Sequence, residues 1–468
     1  MRPARLAALA ARLTSVVPGG VALAVAAAAM AAASPTAAQP VSFGSADDVL
    51  ELGSGFQPRD QARAAAYLGP AYLPDTWRGA ARVEAEVLRG RFSAALGATV
   101  HPGAGGLYGP EADEPYDLAR AVGYVRWNAT AGRRTYARLG PTDRVSLGSG
   151  ALVRQYRTTT AWDERTLGLE AAAEGRRVRA AAFAGDVLSL DGVVGGEVTV
   201  RTGAGLGPVS GLSLTLAAVH DLGLPGLAGD SSLTGVEATV RGDYRGVGPL
   251  SARPFVTHAR YLGRGSTLGG GVELASENLA DALRARATVA VFASTGRFVP
   301  GHVGPFYAVS NGAERIVDDA SFFGPGEPEL AGTPLDSVAA GVDVILDVRL
   351  LAFGRVEVSQ YARRHIGDDR ASGYGLRLAG RLPGQGRVEF ALERQDFRGF
   401  FDLIQDLGQL NALILDVQVP AGPGVLFVRS RYGYRRLTEA DGPAYADGPG
   451  RFLVERRFEP LVGLRVEL

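Results

Sequence analysis

The chain has 468 residues and balances 49 basic against 49 acidic side chains, every basic one an arginine. That balance leaves no concentrated positive field for a phosphate backbone and sets nucleic acid aside as a partner. No cysteine is present, which excludes disulfides, thiol catalysis, zinc–thiolate centres and a lipoprotein anchor.

The amino-terminal segment carries Arg2, Arg5 and Arg12, then an apolar stretch over 21–33, then Ser34-Pro35-Thr36-Ala37-Ala38 before Gln39. A basic start, a short apolar core and small residues before a polar one predict a secretory signal over 1–38, cleaved after Ala38. The apolar stretch is shorter than the roughly 20 residues of a spanning helix, and no later segment is longer. An exported chain of this kind is soluble or crosses a membrane with strands. Residues 39–82 show no clear alternation and are expected to form a periplasmic segment or a plug, with the main domain at 83–468.

Val83, Ala85 and Val87 sit on odd positions, whereas Phe92, Ala94, Leu96, Ala98 and Val100 sit on even ones, so the apolar phase flips near Arg89-Gly90. A flip marks a bulge or a turn. From about residue 91, apolar and polar residues alternate with the two-residue period of a strand. Leu283, Ala285, Ala287, Val289 and Val291 share one face, opposite Arg284, Arg286 and Thr288. Val338, Ala340, Val342, Val344 and Leu346 repeat the pattern opposite Asp343 and Asp347.

Such runs predict strands over 91–100, 121–130, 134–140, 166–174, 177–188, 192–202, 211–221, 234–244, 252–262, 268–278, 283–293, 338–348, 355–365, 374–382, 387–397, 412–419, 425–435 and 452–468. That is eighteen, with sixteen as the neighbouring even number. Short turn-rich connections (131–132, 174–176, 246–249, 383–386, 421–424) alternate with long ones (142–165, 294–337, 398–411, 436–450). The expected fold is all-β: a single transmembrane antiparallel β-barrel with short periplasmic turns and long outer loops. The 64 glycines, with no collagen-like period, suit turns, bulges and close strand packing.

The last residues, Gly463-Leu464-Arg465-Val466-Glu467-Leu468, place a glycine before alternating apolar residues. With the leader and the strands, this segment resembles the outer-membrane β-barrel class of Gram-negative bacteria, although members commonly end in an aromatic residue. The resemblance implies an outer-membrane location, lipid as surroundings, and engagement of the barrel-insertion machinery by the carboxy-terminal segment. It names no family within the class and carries over no functional residue.

Lumen-facing positions are the first candidates for function. Arg284, Arg286, Arg377, Arg381, Arg429 and Arg431 are expected to point inward with Asp343, Asp347, Glu389, Glu393 and Asp416. Such an interior either sets a transverse field that sorts solutes or forms a self-paired lattice. Two hairpin registers follow from opposite-charge pairing: Arg381 opposite Glu389 with Arg377 opposite Glu393, and Asp416 opposite Arg429.

The longest unpatterned stretch, 294–337, holds Glu314, Asp318, Asp319, Phe322 and Phe323 as candidates for a constriction loop. Its carboxylates have no fixed metal-ligand spacing. The 142–165 stretch, with Arg144, Arg154, Tyr156, Arg157 and Trp162, reads as outer rim or as a site for an anionic or sugar-like ligand. His258 and Ser266 lack a third group and do not constitute a catalytic dyad. Tyr261, Tyr432, Tyr434 and Trp127 are expected in an interfacial girdle.

No cofactor or metal is expected, and no enzymatic activity. Two functions remain open: a porin-like channel for diffusion of small hydrophilic solutes, or a non-conducting surface scaffold, adhesin or assembly component.

Overall fold

A computed structural model describes residues 61–73, 76–108, 116–127, 135–142, 145–160, 166–189, 192–207, 209–222, 233–247, 250–280, 283–296, 298–304, 307, 338–350, 356–366, 373–382, 386–395, 411–422, 424–436 and 452–467. The expected signal over 1–38 lies outside them. Twenty strands form one antiparallel sheet. They are β1 (Gln61–Leu73), β2 (Thr76–Arg89), β3 (Phe92–Val100), β6 (Val122–Trp127), β7 (Thr135–Gly140), β8 (Gly168–Glu174), β9 (Val178–Ala184) and β10 (Val193–Arg201). Next come β11 (Val209–Asp221), β12 (Thr234–Val247), β13 (Leu250–Tyr261), β14 (Gly265–Ala280), β15 (Leu283–Thr295) and β16 (Val338–Leu350). The last are β17 (Val356–Ile366), β18 (Gly373–Leu382), β19 (Gly386–Gln395), β20 (Asn411–Ala421), β21 (Gly424–Arg436) and β22 (Phe452–Glu467). A separate two-residue hairpin, β4 (Pro102–Gly103) with β5 (Gly106–Leu107), lies between β3 and β6.

Each strand pairs with the next, and β1 also pairs with β22, from Arg63↔Glu467 to Leu68↔Val462 and again at Tyr72↔Phe458. The sheet therefore closes on itself and has no free edge, which removes the row of unpaired backbone groups that an open sheet presents. The short connections after β2, β8, β12, β14, β18 and β20 lie at the rim where the described chain begins and ends, and the long connections lie at the other rim, together with the short β1–β2 and β13–β14 turns.

The two faces are inverted relative to a water-soluble protein. Along β15 and β16 the outward Val291 is 60% exposed and Val289 44%, whereas the inward Asp343 is 4% exposed; on β19 the inward Glu393 is 1% exposed. Large apolar side chains exposed on β1–β3, β9–β16 and β20–β22 of a closed sheet, with charged groups inside, identify hydrocarbon as the outer medium. The fold is that of a transmembrane β-barrel of the outer-membrane type.

All eighteen expected strands are present, and two more precede them. β1 and β2 take residues 61–82 into the sheet, so the barrel begins ahead of the expected boundary at 83. The alternation of β1 is hidden because its inward residues are apolar too. Ala65, Tyr67, Ala71 and Leu73 are buried in a cluster with Tyr108, Phe427 and Leu461. The phase flip at Arg89-Gly90 is the β2–β3 turn, with Gly90 in the left-handed region at φ 57° and Arg89 opposite Phe92.

One register expectation is overturned. β18 and β19 pair Arg381 with Arg387 and Arg377 with Ala391, while Glu389 stands opposite Ala379 and Glu393 opposite Gly375. The last described pair of this ladder is Leu382↔Gly386. The expected register would put Pro383 at a ladder position, where it has no N–H to give. Backbone pairing thus outweighs a side-chain pair worth about 0.2–1 kcal/mol. The second hairpin has the expected register, with Asp416 opposite Arg429 and the outward Val419 opposite Leu426.

Two substitutions test this architecture. Val289→Arg places a charge in the lipid belt and is expected to cost about 2–4 kcal/mol at the bilayer midplane, read as a lowered denaturant midpoint in lipid vesicles. Gly463→Val drives a side chain into Ala66 O and the Tyr67 ring across the closing pair. It is expected to abolish the heat-modifiable gel migration of a closed barrel.

Candidate functional site

The site is the lumen, and its dominant feature is the connection between β7 and β8. Instead of lining the rim, residues 145–156 form a second, internal hairpin. Val145 N donates to Tyr156 O (3.0 Å), Tyr156 N to Val145 O (2.9 Å) and Leu147 N to Val153 O (3.1 Å). Below this pairing, Thr158 N donates to Thr142 O (2.9 Å) and Thr142 N to Thr158 Oγ1 (3.1 Å). The tip is Gly148-Ser149-Gly150, with φ 58° at Gly148 and φ 81° at Gly150. A Cβ on Gly148 would collide with the Glu237 carboxylate, so the tip combines a backbone and a spatial requirement for glycine.

The tip is seated on acidic side chains of the wall. Gly148 N donates to Glu197 Oε2 (2.6 Å) and Ser149 N to Glu237 Oε1 (2.5 Å). Ser149 Oγ meets Thr257 Oγ1 (3.2 Å), and Arg241 Nη2 donates to Gly148 O (2.6 Å). Charge-assisted bonds of this kind are roughly twice as strong as neutral ones. The returning arm reaches other strands: Arg154 pairs with Asp343 of β16, and Arg157 with Glu393 of β19. Tyr434 N of β21 donates to Thr160 O (3.4 Å). The hairpin is thereby attached to the wall from β10 round to β21.

Apolar packing fixes the rest. Val145, Leu147, Leu152, Val153 and Tyr156 are buried with Phe183, Val219, Tyr261, Phe298 and Val303. Tyr261 OH donates to Leu152 O (2.7 Å). The start of the 294–337 connection joins this layer, with Gly301 N bonded to Ala151 O (2.7 Å) and Arg154 N to Val303 O (3.0 Å). Its Tyr307 OH donates to Asp221 Oδ2 (2.7 Å).

A second polar centre lies across the lumen. Arg429 holds Asp416 through Nε (3.1 Å) and Nη2 (2.9 Å), and Arg431 Nη2 adds a third bond (3.0 Å). Above it the β4–β5 connection turns inward: Tyr108 OH donates to Glu455 Oε2 (3.2 Å), and His101 Nε2 lies 3.4 Å from Glu459 Oε1. A small cavity remains between the hairpin's returning arm and β20–β22, lined by Arg157, Thr160, Ile414, Arg431, Tyr432 and Arg457. Toward the termini rim the half-exposed Arg253 Nε donates to Asp243 Oδ1 (3.0 Å).

The structure places the sequence candidates unequally. Asp343, Glu389, Glu393, Asp416, Arg429 and Arg431 are inward. Asp343 and Glu393 anchor the internal hairpin, and Asp416 binds Arg429 and Arg431. Arg284, Arg286, Asp347, Arg377 and Arg381 take register positions on the same sheet face, Arg286 opposite Asp347. The constriction-loop candidates Glu314, Asp318, Asp319, Phe322 and Phe323 lie outside the described residues.

Arg154 and Arg157, expected at the outer rim, are inside. Tyr261, expected in the girdle, is inside too, and Tyr434 is fully buried. The outward His258 is exposed, and Ser266 Oγ meets Thr295 Oγ1 (3.1 Å). Glu197, Glu237, Thr257 and Arg241 were not singled out from the sequence. The available signal was Gly148-Ser149-Gly150, a turn in the middle of a connection flanked by Val145, Leu147, Leu152 and Val153.

Gly148→Ala is expected to unseat the tip, since a left-handed alanine costs roughly 1–2 kcal/mol and its Cβ meets Glu237. In a Ser149→Cys background, faster maleimide labelling reports that release. A pH effect centres on His302, whose ring meets Tyr261 (6.1 Å) and Tyr307 (5.4 Å) edge-on. Burial, then Arg264, lowers its pKa from 6.5 to about 4, against a smaller upward pull from Asp221. The neutral ring is the folded form, so its contribution is complete above about pH 6.5 and is lost as pH falls toward 4. The wild-type unfolding midpoint should fall over that window, and by less in His302→Phe.

No known protein family and no curated protein matches the sequence. Solved structures that resemble the chain include OpdK, an outer membrane protein from Pseudomonas aeruginosa, at 10% identity, covering 88% of this chain and 100% of that one, with a TM-score of 0.28. A loop-deletion mutant of OmpT from Vibrio cholerae has 12% identity, 66% and 95% coverage and a TM-score of 0.31. A porin has 11% identity, 87% and 100% coverage and a TM-score of 0.31. Likenesses this weak carry no argument of their own. The assignment of this chain as an outer-membrane-type β-barrel rests on the closed pairing and the inverted faces.

Proposed function

We propose that the protein is a porin-like channel for diffusion of small hydrophilic solutes, with the 145–156 hairpin as its constriction. The observation that carries this reading is a polar, ion-paired inner face with a chain segment seated across it inside a closed sheet. The partly exposed Arg241, Asp243, Arg253 and Glu273 toward the termini rim supply a wettable mouth. In this reading the long connections face outward, the short turns face the periplasm, and the carboxy-terminal strand engages the insertion machinery.

One observation favours the alternative of a non-conducting scaffold. Inward side chains on β8–β10, β19 and β22, such as Glu170, Glu197, Glu393 and Glu459, are almost wholly buried. A lumen filled to that degree passes solute only if the hairpin yields.

Planar-bilayer conductance separates the two. Deleting residues 145–156 is expected to raise single-channel conductance several-fold, since a pore's conductance follows its narrowest section. The chain has no native cysteine, so Ser149→Cys with Thr257→Cys can pin the tip to the wall by a disulfide. A movable constriction loses conductance on oxidation and regains it on reduction. Absence of conductance in both the wild type and the deletion variant would sink the channel reading and leave the scaffold.

A further inference from the structure

We infer that the outward face of β11–β15, at the rim of the long connections, binds the phosphorylated head of a membrane glycolipid. The polar side chains on that face at that rim are His220, Thr234, His258, Arg260, Ser266 and Thr295, with no carboxylate among them. Arg260 stands opposite Val236 on one side and Ser266 on the other, and His258 stands opposite Ala238 and Leu268. Positions two apart on a strand are separated by about 7 Å, and neighbouring strands by about 5 Å, so one head group spans both basic side chains and the hydroxyls beside them.

The protein supplies no counter-charge here. Arg260 and His258 are exposed, and neither has a hydrogen bond, ion pair or ring contact among the described residues. Arg456, exposed on β22, differs: its guanidinium stands over the Tyr432 ring at 5.7 Å, so the protein meets that cation. The carboxylates closest in register, Asp221 and Glu237, lie on the inner face, where they accept from Tyr307 OH and Ser149 N. On either side of β13 the hydroxyls are held in place, with His220 Nδ1 2.8 Å from Thr234 Oγ1 and Ser266 Oγ 3.1 Å from Thr295 Oγ1.

The ligand class follows from this arrangement and from what lies below it. A guanidinium on a hydrocarbon-facing wall is tolerated at its margin, where the head groups begin. Phosphate is its natural complement there, because two of its oxygens accept the parallel N–H bonds of the guanidinium fork. Toward the midplane Val240, Val256 and Val291 share one row, exposed by 49%, 60% and 60%. Cations at the margin, hydroxyls beside them and exposed valines beneath match phosphate, sugar and acyl chains in that order. The site is on the outside of the wall, so it neither requires nor excludes conduction through the lumen.

The test folds the full chain in a neutral detergent, adds diphosphoryl lipid A, and counts retained lipid by native mass spectrometry. Wild type is expected to retain one diphosphoryl lipid A and to prefer it about tenfold over the dephosphorylated glycolipid and over phosphatidylglycerol, the margin of a charge-assisted contact. Arg260→Gln with His258→Gln is expected to remove that preference, Arg260→Lys to keep part of it, and Arg456→Gln to leave it unchanged. Heat-modifiable migration verifies that each variant is a closed barrel. Equal retention of the dephosphorylated lipid, or of phosphatidylglycerol, by wild type overturns the site and needs no variant. Undiminished preference in the doubly substituted barrel does the same. Displacement of the lipid by inorganic phosphate also overturns it, since the site would then serve a free anion.

Discussion

In hydrocarbon a backbone N–H or C=O without an internal partner costs several kcal/mol, because no water replaces the lost hydrogen bond. A sheet that spans a membrane satisfies this requirement by closing, and the pairing of β1 with β22 is therefore the contact on which the other features depend. Closure fixes which side of every strand meets lipid. It forces Val289, Val344 and Leu346 outward and leaves Asp343, Glu389 and Asp416 to find partners inside.

The internal hairpin meets the same requirement from the other side. A chain segment taken into the lumen brings its own donors and acceptors, and the wall supplies complements at Glu197, Glu237 and Arg241. The pairs Arg154–Asp343 and Arg157–Glu393 are almost fully buried, where desolvation offsets much of the attraction. Their effect is to fix position more than to add stability. Burial of side chains such as Leu147 and Leu152, about 1.5–3 kcal/mol each, supplies the favourable free energy. One segment thus couples apolar packing near β9–β13 to ionic contacts at β16 and β19.

Particular residues show where the sequence was legible. The strands from β11 to β16 announce themselves because lipid and a polar interior impose opposite demands on alternate positions. β1 does not, because its inner face packs against Phe427 and Leu461 rather than against polar groups, and two apolar faces carry no period. The β18–β19 register was misread because the charges of Arg381 and Glu389 are visible in a sequence, whereas the inability of Pro383 to hold a ladder position acts through the backbone. Arg154, Arg157 and Tyr261 were placed outside for a related reason, since residue type does not say which way a long connection turns.

The sequence by itself determined the class: an all-β chain whose strands alternate and whose connections alternate in length, with the inward charges on β16 and β19–β21 readable by parity. Periodicity is a local property, set by the two faces of a single strand. Tertiary structure decided what occupies the lumen and how Glu197 and Glu237 meet Gly148 and Ser149. Each of those contacts joins residues far apart in the chain, and only closure of the sheet sets the distance between them.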